Sequence, residues 1–164
     1  METPNRDTYQ RLSTVADNRR AAVMVAKSAS RDLALFSRDL EPLIYDTEEF
    51  VAVVQALAIR SRFTRIRIVS IDPGSSVRAG HRLIALAQRF SSYIEIRRAS
   101  VDHSTLSETF LLADEAGILY RPVASQYEGY ADTEAALDAR LYLRTFNGIW
   151  DQAEPDPESR RLGI

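Results

Sequence analysis

The sequence predicts an α/β fold built on a mixed, largely parallel sheet with helices on both faces. Three observations predict it. Helical and strand-like segments alternate as far as Arg98, the order that a parallel sheet with crossover helices requires. From Ser107 to Pro122, two apolar runs are joined by Asp114-Glu-Ala-Gly117. A carboxylate at the first turn position and a glycine at the last are hairpin chemistry, which adds antiparallel strands. Beyond Thr133, the residues Leu137, Leu141, Phe146, Ile149 and Trp150 make an apolar stripe on a long final helix.

Taken in order, residues 1–12 are polar and expected to be loose, and residues 13–153 are expected to form one domain. Residues 154–164 read as a tail, opened by Glu154-Pro-Asp-Pro, whose prolines cannot continue a helix. A helix starting at Ser13 or Thr14 runs to Ser28, with Val15, Ala22, Val25 and Ala26 inward. Asp32–Ser37 is a nearly continuous apolar strand, the pattern of one covered on both faces. Asp46 caps the next helix and Glu49 reaches back to it, as in a capping box, with Phe50, Val54, Leu57 and Ala58 on one face. Thr64–Ile71 is a strand that ends at Asp72-Pro-Gly-Ser-Ser, and a helix over 77–90 groups Leu83, Leu86, Ala87 and Phe90. Strand Tyr93–Arg98 follows, then a polar loop carrying His103, then the hairpin. Ser125–Tyr130 is an edge strand, and Asp132 or Thr133 caps the last helix, which runs to Ala153.

Composition excludes several function classes. The 164 residues contain no cysteine, so thiolate nucleophiles, disulfides and Cys-based zinc sites are absent. His81 and His103 are the only histidines, too few for a multi-histidine metal centre in one chain. A net charge of −2 gives no overall pull toward nucleic acid or anionic membrane. No apolar run approaches the roughly 18 residues that span a bilayer, and Met1–Arg11 is too polar for a signal peptide, so a cytoplasmic protein is expected.

This order of elements resembles one half of a phospholipase D-like domain, from about Ala21 to Trp150. In that superfamily the hairpin carries a His-x-Lys-x4-Asp signature, and Phe110-Leu-Leu-Ala-Asp114 matches the apolar run and aspartate that close it. Ser107 stands where the signature has histidine, Thr109 where it has lysine, and Arg121-Pro122 replaces the Gly-Ser pair expected after the aspartate. The family's histidine attacks phosphorus while lysines stabilise the charge that develops. A serine with no adjacent base is a poor nucleophile at neutral pH, and a threonine supplies no positive charge. The resemblance therefore implies a domain with no catalytic residue, no metal and no cofactor. The whole chain also resembles a bacterial family with a degenerate phospholipase D-like domain, in which related domains follow an acetyltransferase domain. That resemblance implies association with an acetyltransferase domain or protein, although the chain has no acetyl-CoA-binding glycine pattern of its own. Single-half relatives pair two chains about a two-fold axis, which implies a symmetric homodimer here. Its expected patch joins the hairpin side to Tyr127, Tyr130 and Trp150.

Each candidate residue has a plainer rival. His103, four residues before Ser107, is the candidate for a displaced catalytic histidine. A loop histidine is preferred, because nothing in the sequence converges on it. Asp72, Ser75, Ser76 and His81 lie where a helix start follows a parallel strand, a common place for anions. With His103 and Arg121 they make up the candidate anion or ligand site, although a structural His81 is preferred. Arg60, Arg62, Arg65, Arg67, Arg97 and Arg98 are a candidate nucleic-acid surface, against which stands the acidic balance of the whole chain. Tyr127, Tyr130, Tyr142 and Trp150 read either as a contact surface or, preferably, as packing at the core edge. The leading expectation is a non-catalytic phospholipase D-like domain with a binding, regulatory or assembly role, no membrane partner and nucleic acid disfavoured. The alternatives are a phosphodiesterase-like enzyme using His103 or His81, and a nucleic-acid-binding module.

Overall fold

The computed structural model describes residues 7–156, apart from the side chains of residues 76–78. After β1 (Tyr9–Leu12) comes α1 (Val15–Ser28), which starts at a capping box: the Thr14 hydroxyl accepts from Asp17 N at 3.0 Å and Asp17 Oδ2 accepts from Thr14 N at 3.2 Å. β2 (Asp32–Ser37) leads through a tight turn to the short α2 (Pro42–Tyr45), which the sequence reading lacked. α3 (Glu48–Ala58) is capped by Thr47, whose hydroxyl accepts from Phe50 N at 3.2 Å. Asp46 lies one residue outside that cap and instead receives the Arg82 backbone N–H at 3.3 Å. Beyond β3 (Arg65–Ser70), the single helix expected over 77–90 is two, α4 (Pro73–Ala79) and α5 (Arg82–Arg89). Gly80 separates them at φ +74°, a conformation that costs glycine nothing and ends a helix.

β4 (Ile94–Arg98) and a single 3₁₀ turn at Val101–His103 lead to the hairpin, β5 (Thr109–Ala113) and β6 (Gly117–Arg121). Then follow β7 (Gly129–Asp132), α6 (Ala136–Gln152) and the two-residue β8 (Glu154–Pro155). α6 starts later than expected. Asp132 ends β7, where its carboxylate accepts from Thr8 Oγ1 and Glu134 N at 2.8 Å each.

All eight strands form one mixed sheet in the order β1-β7-β6-β5-β2-β3-β4-β8. Its parallel part is β2, β3 and β4, with Leu33 beside Ile66 and Ile68 beside Ile96; the remaining pairings are antiparallel. β7 is therefore interior. The loose N-terminus expected over 1–12 is corrected for Tyr9–Leu12: Tyr9 pairs with Asp132 and Leu12 with Gly129, Tyr9 stacks on Tyr130, and Leu12 is buried. The tail expected from residue 154 starts as β8, with Glu154 beside Arg98 and Pro155 beside Arg97. Residues 1–6 and 157–164 lie outside the described residues.

The helices cover both faces. On one, α1, α3 and α5 bury Ala22, Val25, Phe50, Val54, Leu83 and Leu86 against Leu33, Leu35, Ile66, Ile68 and Leu111. On the other, α6 lays Phe146, Ile149 and Trp150 over Phe36, Phe110, Leu112 and Ile118. Stepping back from Phe146 by helical turns reaches Tyr142, Ala139 and Ala135, so Leu137 and Leu141 fall on the outer face, 83% and 55% exposed. The expected inward stripe is corrected at those two positions. The hairpin face assigned to a dimer patch is closed by α6, and Trp150 is buried within that layer.

Candidate functional site

The apolar run of β2 ends at Ser37, and the chain must then turn sharply before Pro42. Leu40 and Glu41 make the turn at φ +63° and +28°, a left-handed backbone that non-glycine residues adopt at a cost of about 1–3 kcal/mol each. The turn is held from several sides. Ser37 Oγ accepts from Leu40 N at 3.1 Å, and Asp39 Oδ1 accepts from Glu41 N at 3.0 Å. His81 Nδ1 accepts from Leu83 N at 3.1 Å, which leaves the ring proton on Nε2 to donate to Leu40 O at 2.9 Å.

That turn aims Glu41 at Arg121, at the end of β6. Arg121 is fully buried and donates to Glu41 Oε1, to Gln126 O at 2.8 Å, to Ala124 O at 2.6 Å and to Asn18 Oδ1 at 3.4 Å. Its guanidinium also lies 5.6 Å from the Tyr127 ring centroid. Gly129 makes room for this: a Cβ there would meet Arg121 Cγ at 2.7 Å and Tyr120 O at 2.1 Å. Burial pushes the Glu41 carboxyl upward, against the opposing pull of Arg121 and of the Thr109 hydroxyl. Tyr45 packs beside the pair, and burial drives its phenol well above the ordinary range.

Above the pair opens a cleft of about 420 Å³. Glu41 lines it, with Pro42, Leu43, Val123 and Tyr127 as mostly apolar walls and Arg38, Asp39, Ser107 and Ser125 as its other polar groups.

The residues singled out by the sequence scatter around this cleft. Ser107 reaches it, where its hydroxyl donates to Pro122 O at 3.2 Å. Thr109 does not; it is buried and donates to Phe36 O at 2.8 Å. Asp114, at the far end of β5, sits at φ +53° and receives the N–H groups of Ser30, Arg31 and Asp32 at 2.9–3.1 Å, with the Ser30 hydroxyl at 3.1 Å. Its partial burial alone would raise the carboxyl, but those donors together hold it below its ordinary value. Asp114 is a turn clamp.

The anion site expected at Asp72, Ser75, Ser76 and His81 is corrected at His81. That residue is buried as the N-cap of α5, and burial pushes its imidazole down. Asp72 N donates to Arg38 O and Ser75 Oγ donates to Asp72 O at 3.3 Å, while the side chain of Ser76 lies outside the described residues. His103 Nδ1 pairs with Ser100 Oγ at 3.1 Å and does not line the cleft beside Ser107. Arg121, expected at a ligand site, is the buried partner of Glu41. The arginine cluster is also divided: Arg67 and Arg97 pack under α6, 5.0 Å from the Phe146 centroid and 3.9 Å from that of Trp150, respectively. Glu41, Asn18 and Tyr45 were missed by sequence reasoning. The one local signal was an acidic residue directly before Pro42, at the end of an apolar strand.

A family model described as "Domain of unknown function (DUF7931)" matches residues 14–162. No curated protein matches the sequence. Among solved structures, TrmBL2, an archaeal chromatin protein with a novel mode of DNA binding, aligns at TM-score 0.67 and 14% identity over 95% of this chain and 56% of that one. The chain thus spans just over half of TrmBL2. Nuc from Salmonella typhimurium, a phospholipase D family member, aligns at TM-score 0.63 and 15% identity over 90% of this chain and 97% of that one. Phosphatidylserine synthase from Haemophilus influenzae Rd KW20 aligns at 0.62 and 10%, over 96% and 40%. At these identities the likeness is one of fold.

Proposed function

The chain belongs to the DUF7931 family and carries a phospholipase D-like fold, and from that premise we propose that it is a domain that binds a ligand without cleaving it. One observation carries the reading. Thr109, at the position of the signature lysine, is buried in a bond to the β2 backbone, and Arg121, paired with it on the neighbouring strand, is consumed by Glu41. The side chains facing the cleft are then hydroxyls, apolar walls, the Asp39 carboxylate, the Glu41 carboxylate already paired with Arg121, and one exposed guanidinium, that of Arg38. Among the described residues, no histidine or lysine lines it. Such a cleft offers no imidazole nucleophile and no fixed cation for a phosphoryl transition state. It suits a small amphipathic ligand, with its apolar body against Leu43 and Val123, an anionic group toward Arg38 and a hydrogen-bond donor toward Asp39. The rival reading, an enzyme using a displaced histidine, has less support, because both histidines are engaged elsewhere.

Two measurements with the full chain test this. Bis-p-nitrophenyl phosphate should show no turnover above background, and turnover that disappears in His103→Ala would overturn the non-catalytic reading. Phenyl phosphate, titrated by ligand-observed NMR, should bind and should weaken in Arg38→Ala; no saturable binding would remove the cleft as its site.

A further inference from the structure

The pole of the sheet opposite the cleft, where β2 and β3 begin, collects basic side chains: Lys27, Arg31, Arg60, Arg62, Arg65 and Arg89. Three of these have a local reason. Lys27 and Arg89 stand in the last turns of α1 and α5, where a cation meets the negative end of the helix, and Arg60 donates to Ala29 O at 3.0 Å just past α1. Arg31, Arg62 and Arg65 have no such account. All three are exposed, and among the described residues their guanidiniums make no ion pair. Arg31 and Arg65 are neighbours, since Arg65 N donates to Arg31 O at 2.9 Å and Arg65 pairs with Asp32 across the strands, and Phe63 joins Arg62 to them.

Between them stands Phe63, 57% exposed, with Arg62 Cζ 4.8 Å and Arg31 Cζ 5.7 Å from its ring centroid. The acidic groups at this end of the sheet are Asp32, Glu95, Asp114, Glu115, Asp132 and Glu134; backbone N–H groups take up the Asp114 carboxylate, Glu95 pairs with Arg97, Asp132 accepts from Thr8 and from Glu134 N, and Asp32 is the acid paired directly beside Arg65. Over residues 31–32 and 60–65, which surround Phe63, four arginines meet one carboxylate, that of Asp32, in a chain whose net charge is −2. An exposed aromatic ring flanked by guanidinium planes, with a third guanidinium beside them, is the chemistry of a stacking platform for bases with fixed partners for phosphates.

The geometry points to this pole as a single-stranded nucleic-acid surface, with Arg31, Arg62 and Arg65 on the backbone phosphates and Phe63 against a base. An anionic membrane would also attract the charge, but only Ile59 and Phe63 offer exposed apolar bulk here, and guanidinium dominates over ammonium.

Fluorescence anisotropy with the full chain and a labelled 20-nucleotide oligo(dT), with oligo(U) as a second arm, tests the proposal. Binding should weaken with salt at a log–log slope near about −2, the value for some three phosphate contacts on a single strand. Arg62→Ala with Arg65→Ala should bring the slope to about −0.7. Phe63→Ala should weaken binding roughly five- to fifty-fold with the slope unchanged, because stacking carries no counterion release. Arg140→Ala with Arg144→Ala, on the outer face of α6, removes equal charge elsewhere and should change neither quantity. All these side chains are exposed, and matching thermal melts confirm folding. DNA and RNA arms that both bind, or either alone, support the surface and say which strand it takes. No binding in 50 mM salt, an equal response to the α6 pair, equal affinity for a duplex, or preferential binding to phosphatidylserine vesicles would overturn it.

Discussion

Glu41 and Arg121 form an ion pair across 80 residues of sequence, with the guanidinium fully buried and donating to Glu41, Gln126, Ala124 and Asn18. Removing one partner of such a pair leaves the other charged and desolvated, which typically costs about 3–5 kcal/mol. Arg121→Ala should therefore lower unfolding stability by about that amount in urea titration, since Gln126, Ala124 and Asn18 also lose their donor. A loss under about 1 kcal/mol would mean that water enters the site and takes over the arginine's bonds.

The hairpin should behave as core. Phe110 is fully buried, 5.5 Å from the Phe36 ring and 5.4 Å from that of Tyr142. Phe110→Ala should cost about 3–5 kcal/mol, the range for removing a buried aromatic. A melting temperature within a degree or two of wild type would contradict the placement of α6 over β5.

His81 gives stability a pH dependence of known sign. Burial holds its imidazole below the ordinary 6.5, so between those two values the unfolded chain binds a proton that the folded chain refuses. His81's share of stability is complete above about 6.5 and is lost as pH falls from there toward the folded value. The Glu41 carboxyl is displaced upward, which has the opposite sign: above 4.5 the folded state is the one that takes up the proton. His81→Asn keeps a capping side chain and removes the titration, so denaturation of wild type and variant between pH 5 and 7.5 should converge toward acid. Parallel profiles would show that His81 titrates alike in both states.

Asp114 should separate backbone strain from bonding. Asp114→Gly relieves the left-handed φ and loses the acceptors, whereas Asp114→Ala loses the acceptors and keeps the strain. Alanine should be the less stable variant by about 1 kcal/mol, with asparagine milder than either because it tolerates this backbone and keeps an acceptor. Chemical denaturation of the three decides the order, and alanine matching glycine would mean that the turn relaxes.

Sequence patterns were informative where the cause is local. The hairpin was legible because Asp114 and Gly117 are turn residues, and the strand Asp32–Ser37 because only burial on both faces tolerates so apolar a run. The split between α4 and α5 was written at Gly80 but overridden by the apolar periodicity beyond it. Leu137 and Leu141 look like their inward neighbours in composition, and which helical face turns inward is decided by the sheet it meets. Glu41 and Arg121 were beyond reach for a different reason. A charged residue in sequence reads as solvated, and only the fold brings an acid from the β2 turn against a guanidinium from β6.

The far side of the sheet has its own consequence. β4 would be an outer strand were it not for Glu154 and Pro155, which cover Arg97 and Arg98 with two residues of pairing and place a proline outermost. An uncovered strand end offers unpaired N–H and C=O groups to any passing chain, and proline cannot extend the ladder outward. β8 thus acts as a stopper against edge-to-edge self-association. A chain cut after Ala153 should keep its fold and lose its colloidal silence, growing in light scattering with concentration while its far-ultraviolet circular dichroism stays the same.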